Sequence, residues 1–183
     1  MTQSRMRYRV VREASEENDP FDRQKRIPWW RQEALANARI LVIGAGAIGN
    51  EVLKNLALLG VGGIFVTDLD TVSTSNLSRT VLFRAADVGR PKAEVAAARA
   101  REICTNQATQ IDWFQGDVVW DLGLGLIRQM DLVLGCLDNV ATRLWVNRQC
   151  WLVGKPWIDA GIYELGASVT TYLELTPGNG RGV

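Results

Sequence analysis

Apolar residues recur along the chain in two alternating kinds of segment, short continuous runs and longer stretches with apolar positions three and four residues apart. The short runs predict buried strands at 39–43, 63–67, 110–114, 131–135 and 156–159. The longer stretches predict helices at 48–59, 92–104, 121–129 and 141–153. Because strands alternate with helices, the pattern predicts an α/β fold with a doubly wound, mostly parallel sheet and helices on both faces.

The two ends of the chain depart from this pattern. Positions 1–19 are polar with mixed charge, and we expect a flexible arm there, ahead of one domain at 20–183. Within 21–36 we predict two short helical pieces split at Pro28, because proline breaks a helix interior. Apolar and polar residues alternate at 166–175, which predicts an antiparallel strand, and no apolar segment follows to cover that strand. We therefore expect the domain to be incomplete at its C-terminus.

Composition excludes several functional classes. The hydrophobic fraction of 47% and the charged fraction of 22% are ordinary globular values. With 21 basic and 20 acidic residues the net charge is +1, which gives no general attraction to nucleic acid or membrane. No apolar stretch is long enough for a signal peptide or a spanning helix. We expect a cytoplasmic protein with neither a membrane nor a nucleic-acid partner.

The cysteines and the missing histidine narrow the chemistry further. Cys104, Cys136 and Cys150 are widely spaced and lack a C-x-x-C pair, so they predict neither a disulfide framework nor a zinc site. We interpret all three as buried thiols, with Cys136 inside the fourth predicted strand. Histidine is absent, which excludes Ser-His and Cys-His catalysis and histidine-ligated metals.

A glycine motif follows the first predicted strand. Gly44, Gly46 and Gly49 form G-x-G-x-x-G at the point where that strand passes into a helix, so backbone N–H groups and the positive helix end can face an anion. Asp68 ends the next strand, where a carboxylate can accept a hydrogen bond from a ribose hydroxyl. The arrangement predicts a Rossmann-like nucleotide-binding unit and leaves NAD and ATP both open.

Three charged residues favour ATP. Arg79, Lys92 and Asp138 would supply two cationic groups and one magnesium-binding carboxylate, which is the equipment for splitting a phosphoanhydride. A redox enzyme usually needs a proton relay near the nicotinamide, but there is no histidine and no lysine shortly after Tyr163. A dinucleotide oxidoreductase remains an alternative that preferential NAD(P) binding would reveal.

Six motifs together resemble one family. They are "DRQ" at 22–24, "GAGAIG", "DLDTVSTSNLSR", "GRPKAE", "CLDNVATR" and "NRQCWLVGKPWIDAG". In this order, over about 21–177, they resemble the ThiF/MoeB/HesA adenylyltransferases, bacterial relatives of the ubiquitin-activating enzymes. The resemblance implies activation of the C-terminal carboxylate of a small ubiquitin-fold carrier ending in Gly-Gly. The implied products are an acyl-adenylate and pyrophosphate, with ATP and Mg²⁺ required.

The resemblance also implies roles for individual residues. Asn76, Arg79 and Lys92 would contact the phosphates. Asp138 would hold Mg²⁺, and Arg23 would reach the nucleotide of the partner subunit in a homodimer.

Two further aspartates and the loop complete the implied site. Asp68 would bind the ribose, with Asp70 as a second candidate for the same place. Gly44, Gly46 and Gly49 would line the loop.

The implied chemistry needs no base. A C-terminal carboxylate, with a pKa of roughly 3.5, is already ionised at neutral pH. Relatives usually carry a zinc pair and often a catalytic cysteine, which nothing here matches. We therefore predict adenylation, with no thioester or persulfide step within these residues and no zinc within this chain. Two alternatives stay open: a catalytically silent partner subunit, and a tRNA-modifying dehydratase of the cyclic threonylcarbamoyladenosine type. The sequence names neither carrier nor pathway.

The residues around Asp138 could also have purely structural roles. Asp138 and Asn139 are placed to cap the helix that follows, which is compatible with metal binding. We expect Arg143 and Asn147 to support the Asp138 turn rather than to contact substrate.

Overall fold

A computed structural model describes residues 19–173. The chain divides into a short N-terminal unit that ends at Gln32 and a larger unit that begins at Glu33. Helix α1 (Asp22–Lys25) lies in the first unit, and α2 (Gln32–Asn37) begins at its last residue. The interruption at Pro28 between two helical pieces is confirmed. The expected arm at 1–18 and the turn residues at 174–183 lie outside the described residues.

The larger unit is built on one six-stranded sheet with the order β3-β2-β1-β4-β5-β6. The first five strands pair in parallel, and the sixth pairs antiparallel with the fifth. The strands are β1 (Arg39–Ile43), β2 (Gly63–Asp68), β3 (Gln110–Gln115), β4 (Leu132–Gly135), β5 (Trp157–Tyr163) and β6 (Gly166–Tyr172). The predicted mostly parallel sheet with a final antiparallel strand is confirmed.

Helices cover both faces of this sheet. They are α3 (Ala47–Leu58), α4 (Lys92–Glu102), α5 (Leu124–Gln129) and α6 (Val140–Leu152). Successive β1 residues point to opposite faces, as the pleat of a strand requires. Ile40 and Val42 therefore enter the core formed with α3 and α4, while Leu41 and Ile43 enter the core formed with α5 and α6. Both faces of β1 are therefore buried, each against its own layer of helices.

Several elements differ from their predicted bounds by one to four residues, and two of these differences have a clear structural cause. β5 continues to Tyr163, four residues past the predicted end, because Tyr163 pairs with Gly166 across a tight connection to β6. α5 begins at Leu124 rather than at position 121, because Asp121 closes a turn by accepting a hydrogen bond from the backbone N–H of Asp117 at 2.8 Å. Neither difference changes the topology.

Within residues 19–173, every helix is too short or too polar to span a bilayer.

Candidate active site

A cleft of about 350 Å³ opens at the carboxyl ends of the parallel strands. Its walls come from the segments that follow β1, β2, β3 and β4. The chain proceeds from β1 to β2 on one side and later places β4 on the other side of β1, so the cleft lies where the strand order reverses. Open α/β sheets bind their ligands at this switch point.

The three glycines of the motif have different structural reasons. Gly44 has a φ of +96° and approaches Cys136 so closely that a Cβ atom would lie 2.5 Å from the Cys136 carbonyl oxygen. A Cβ atom on Gly49 would lie 1.9 Å from the Gly44 carbonyl oxygen. Gly46 has open space at that position. Gly44 and Gly46 line the cleft, whereas Gly49 packs α3 against the loop.

Asp68 is held rigidly at the end of β2. One carboxylate oxygen accepts a hydrogen bond from the backbone N–H of Ala45 at 2.6 Å, and the other accepts one from the N–H of Asp70 at 2.8 Å. Burial raises the pKa of the Asp68 carboxyl, and these two hydrogen bonds oppose the rise. Asp68 therefore joins the glycine loop to the segment after β2 and lines the cleft.

Lys92 opens α4 and lines the cleft beside Asp70. Its ammonium group donates to the Asp70 carboxylate at 2.7 Å, and its backbone N–H donates to the Asp70 carbonyl at 2.9 Å. The Lys92 side chain is 11% exposed and the Asp70 side chain 63% exposed. The structure thus pairs Asp70 with a lysine, a contact that the sequence did not suggest.

Arg79 and Asn76 share one turn but differ in exposure. Arg79 is exposed and lines the cleft. Asn76 is buried, and its side-chain oxygen accepts from the backbone N–H of Ser73 at 2.9 Å, which caps a short 3-10 helix. The Asn76 carbonyl accepts from the Arg79 N–H at 3.0 Å. Asn76 is not among the residues that line the cleft and instead shapes the turn that carries Arg79.

The turn between β4 and α6 brings Asp138 to the cleft. Asp138 is exposed there, and Asn139 caps α6 by accepting from the Thr142 backbone N–H at 3.1 Å. The Arg143 guanidinium donates to the Leu137 carbonyl and binds the Asp159 carboxylate at 2.6 Å. The expected support of this turn by Arg143 is confirmed. The Asp159 carboxylate holds the Arg143 side chain in place.

Cys136 requires a correction. We expected it inside the fourth strand with a buried thiol, but β4 ends at Gly135 and Cys136 is a partly buried residue that lines the cleft. Burial and the nearby Asp159 raise the pKa of its thiol to about 12. Burial likewise raises the pKa of Cys150, which is fully buried, to about 11. Neither thiol is disposed to form the thiolate that nucleophilic catalysis needs.

Arg23 lies in the N-terminal unit, exposed on α1. Its expected role involves a partner subunit and remains a prediction.

Some residues of the site were not predicted from the sequence. Ile162 on β5, Thr142 on α6 and Asp117 in the loop after β3 also line the cleft. Asn50, directly after the glycine motif, is a fully buried polar residue with bonds to the loop. A polar residue on the otherwise apolar inner face of α3 is the signal that could have identified Asn50.

A family model described as the ThiF family matches residues 17–181. The chain belongs to the ThiF family. Among curated relatives of this ThiF-family chain is probable adenylyltransferase/sulfurtransferase MoeZ of Mycobacterium tuberculosis, 40% identical over 152 residues. Another is the sulfur carrier protein adenylyltransferase of Thermus thermophilus, 36% identical over 165 residues. These matches cover 83% and 88% of the chain.

Solved structures agree with the family assignment. The crystal structure of E. coli MccB with MccA-N7isoASN superposes with a TM-score of 0.71 at 30% identity, covering 78% of this chain and 42% of that chain. The ThiF-family chain spans 38% of MoeZ and 60% of the Thermus protein. The relatives named above are therefore longer proteins that contain this domain.

No group of three or more carboxylate, thiol or imidazole side chains that could hold a metal ion is present within residues 19–173. In the same part of the chain, two exposed carboxylates line the cleft, Asp70, which is paired with Lys92, and Asp138. Mg²⁺ is commonly bound by one or two carboxylates together with substrate phosphates and water. The donor set of the cleft therefore fits a nucleotide-bound Mg²⁺ and not an all-protein metal cage.

Proposed function

We propose that this chain is an ATP-dependent adenylyltransferase. It would join the C-terminal carboxylate of a small ubiquitin-fold carrier, ending in Gly-Gly, to the α-phosphate of ATP. A carboxylate oxygen forms the new bond to the α-phosphorus, the bond from that phosphorus to the β-phosphate oxygen breaks, and pyrophosphate leaves with the electron pair. The observation that carries the proposal is the convergence of Asp68, Arg79, Lys92 and Asp138 on one cleft beside the glycine loop.

Nucleotide binding would use the loop and the end of β2. The first N–H groups of α3 have no partner within the helix, so together with the positive helix end they can bind phosphate oxygens. Gly46 keeps the space in front of them open, because it has no side chain. Asp68, already oriented by two backbone N–H groups, would accept a hydrogen bond from a ribose hydroxyl.

Adenylation would depend on charge and alignment. The attacking carboxylate is ionised at neutral pH and needs no base. Arg79 and Lys92 would bring positive charge to the triphosphate and the departing pyrophosphate, with Asn76 acting through the turn that carries Arg79. Asp138 would hold Mg²⁺, which when bound neutralises phosphate charge. Loss of one such stabilising contact costs about a hundredfold in rate or more.

The proposed partners follow from the same chemistry. Relatives carry names that include sulfur carrier protein adenylyltransferase and SUMO-activating enzyme subunit, which supports a small carrier as the acyl substrate.

We also propose a cytoplasmic homodimer in which Arg23 of one copy contacts the nucleotide bound to the second copy. Mixing Arg23→Ala with Asp138→Asn subunits would then restore exchange activity through one intact site, and a mixture as inactive as its parts would exclude this arrangement.

ATP–pyrophosphate exchange tests the function directly. With Mg²⁺ and a carrier ending in Gly-Gly, the wild-type chain should exchange labelled pyrophosphate into ATP. Asp138→Asn should lower the rate by about a hundredfold or more. Asp112→Asn is the matched control, because Asp112 is exposed on β3 and does not line the cleft.

Three outcomes would contradict the proposal. ATP binding without exchange with any carrier would identify a catalytically silent subunit. Preferential NAD(P) binding would identify an oxidoreductase. An undiminished rate in Asp138→Asn would remove the proposed metal site.

A further inference from the structure

Asn50 is a fully buried polar side chain in α3, on the same helix as the buried Leu53 and Ala57. A buried amide without partners would cost about 1–3 kcal/mol. Asn50 instead makes three hydrogen bonds. Its Nδ2 donates to the Ala45 carbonyl at 2.7 Å and to the Gly46 carbonyl at 3.0 Å, and its Oδ1 accepts from the Leu82 N–H at 2.9 Å.

These bonds join two walls of the cleft. Ala45 and Gly46 belong to the glycine loop, and Leu82 follows Arg79 by three residues in the long connection between β2 and α4. Gly46 and Arg79 both line the cleft, whereas Asn50 does not. Leu82 is 5% exposed and packs in the core that includes α3 and α4. Asn50 thus connects the glycine loop to Leu82, the buried residue that anchors the segment carrying Arg79.

The two donated bonds also orient backbone amides. In a planar trans peptide the C=O and the following N–H point in opposite directions. The Asn50 side chain binds the carbonyls of Ala45 and Gly46, and the Asn50 backbone N–H also binds the Gly46 carbonyl at 2.9 Å, so the N–H groups of Gly46 and Ala47 point away from Asn50. Gly46 and Ala47 are cleft residues, so those N–H groups face the side where phosphate would bind.

We propose that Asn50 is a positioning residue for the nucleotide, which presents the loop N–H groups to the phosphates and sets the spacing between the loop and Arg79. This inference rests on the proposed function. Asn50 acts through the Ala45–Gly46 and Leu82 backbones and contacts no substrate itself.

Asn50→Asp separates the two halves of this role. The carboxylate has the size of the amide and keeps the oxygen that accepts from the Leu82 N–H. Its second oxygen replaces the Nδ2 donor and therefore faces the carbonyl oxygens of Ala45 and Gly46 without a hydrogen to share. The loop peptides should rotate away. Asn55→Asp is the matched control, because Asn55 is exposed on the same helix.

The measurement is the kinetics of ATP–pyrophosphate exchange together with the melting temperature. We expect Asn50→Asp to raise the KM for ATP at least tenfold and to lower kcat, with the KM for carrier within twofold of wild type. Asn55→Asp should stay within twofold throughout. A folded Asn50→Asp with a lower melting temperature and unchanged KM and kcat would overturn the inference, because that is what a purely structural Asn50 produces.

Two further measurements keep the inference separate from the proposed function and from folding. If the wild-type chain binds AMP-CPP without exchange, the proposed function fails, and a tenfold weaker Kd for AMP-CPP in Asn50→Asp still supports the inference, while an equal Kd overturns it. A wild-type chain that binds no nucleotide overturns both. If Asn50→Asp does not fold, Asn50→Ala, which buries no charge, should show the same tenfold loss, and nucleotide binding equal to wild type would overturn the inference.

Discussion

We expect the substitution Gly49→Ala to destabilise the protein, because it adds a methyl group where the glycine loop packs against α3. An ideal Cβ atom on Gly49 lies 1.9 Å from the carbonyl oxygen of Gly44 and 2.8 Å from its carbonyl carbon. Since real Cβ atoms essentially never approach another atom closer than 3.0 Å, the loop and α3 must separate by at least the difference of 1.1 Å. Both contacts are to backbone, so no flexible side chain can yield instead.

The sign of the effect is the informative quantity. In an unobstructed helix, alanine is more stable than glycine by up to about 1 kcal/mol. Forcing extra volume into a packed site costs about 1–3 kcal/mol, occasionally more. With the clash at the upper end of that range, we expect Gly49→Ala to lower the free energy of unfolding by about 2 kcal/mol.

Gly125→Ala provides the matched control. Gly125 lies near the start of α5, and a Cβ atom there meets nothing within 4 Å. This variant should therefore gain up to about 1 kcal/mol from helix propensity alone. Urea unfolding followed by circular dichroism measures both changes. A Gly49→Ala protein as stable as wild type, or more stable, would show that the loop and α3 do not pack as described.

Two other predictions concern the charge and thiol groups of the cleft. Asp70→Asn removes the ionic partner of Lys92, so we expect the kcat of exchange to fall about tenfold with little change in the KM for ATP; a higher KM with unchanged kcat would instead assign Asp70 to ribose binding. Cys136→Ala should keep the exchange rate within twofold of wild type. Iodoacetamide at pH 8 should inactivate the wild-type chain only slowly. The reason is that a thiol pKa of about 12 leaves only about one part in ten thousand of Cys136 as thiolate. Rapid inactivation that disappears in Cys136→Ala would contradict this reasoning.

Local patterns were sufficient to predict the elements and their order. The apolar run at 39–43 is one that a buried strand can satisfy, and the structure places β1 at Arg39–Ile43. Strand and helix alternation leads to a parallel sheet because the crossover connections are right-handed and place helices on its faces. Since parallel strands end at one edge, the residues after β1, β2 and β4 all lie along that edge. The edge that carries the cleft was therefore predictable from the sequence, and the strand order that makes these residues neighbours was decided by the tertiary structure.

Tertiary structure alone decided which side chains bond to one another at that edge. Asp70 and Lys92 are 22 residues apart, and Asn50 and Leu82 are 32 residues apart. No short-range periodicity encodes such contacts, because they depend on how a long connection folds back over the sheet. The exposure of Cys136 was undetermined for the same reason: one residue beyond a strand end, burial depends on the neighbouring loops. The sequence by itself determined the sheet and its edge, and only packing across long separations determined the hydrogen-bonded network in the cleft.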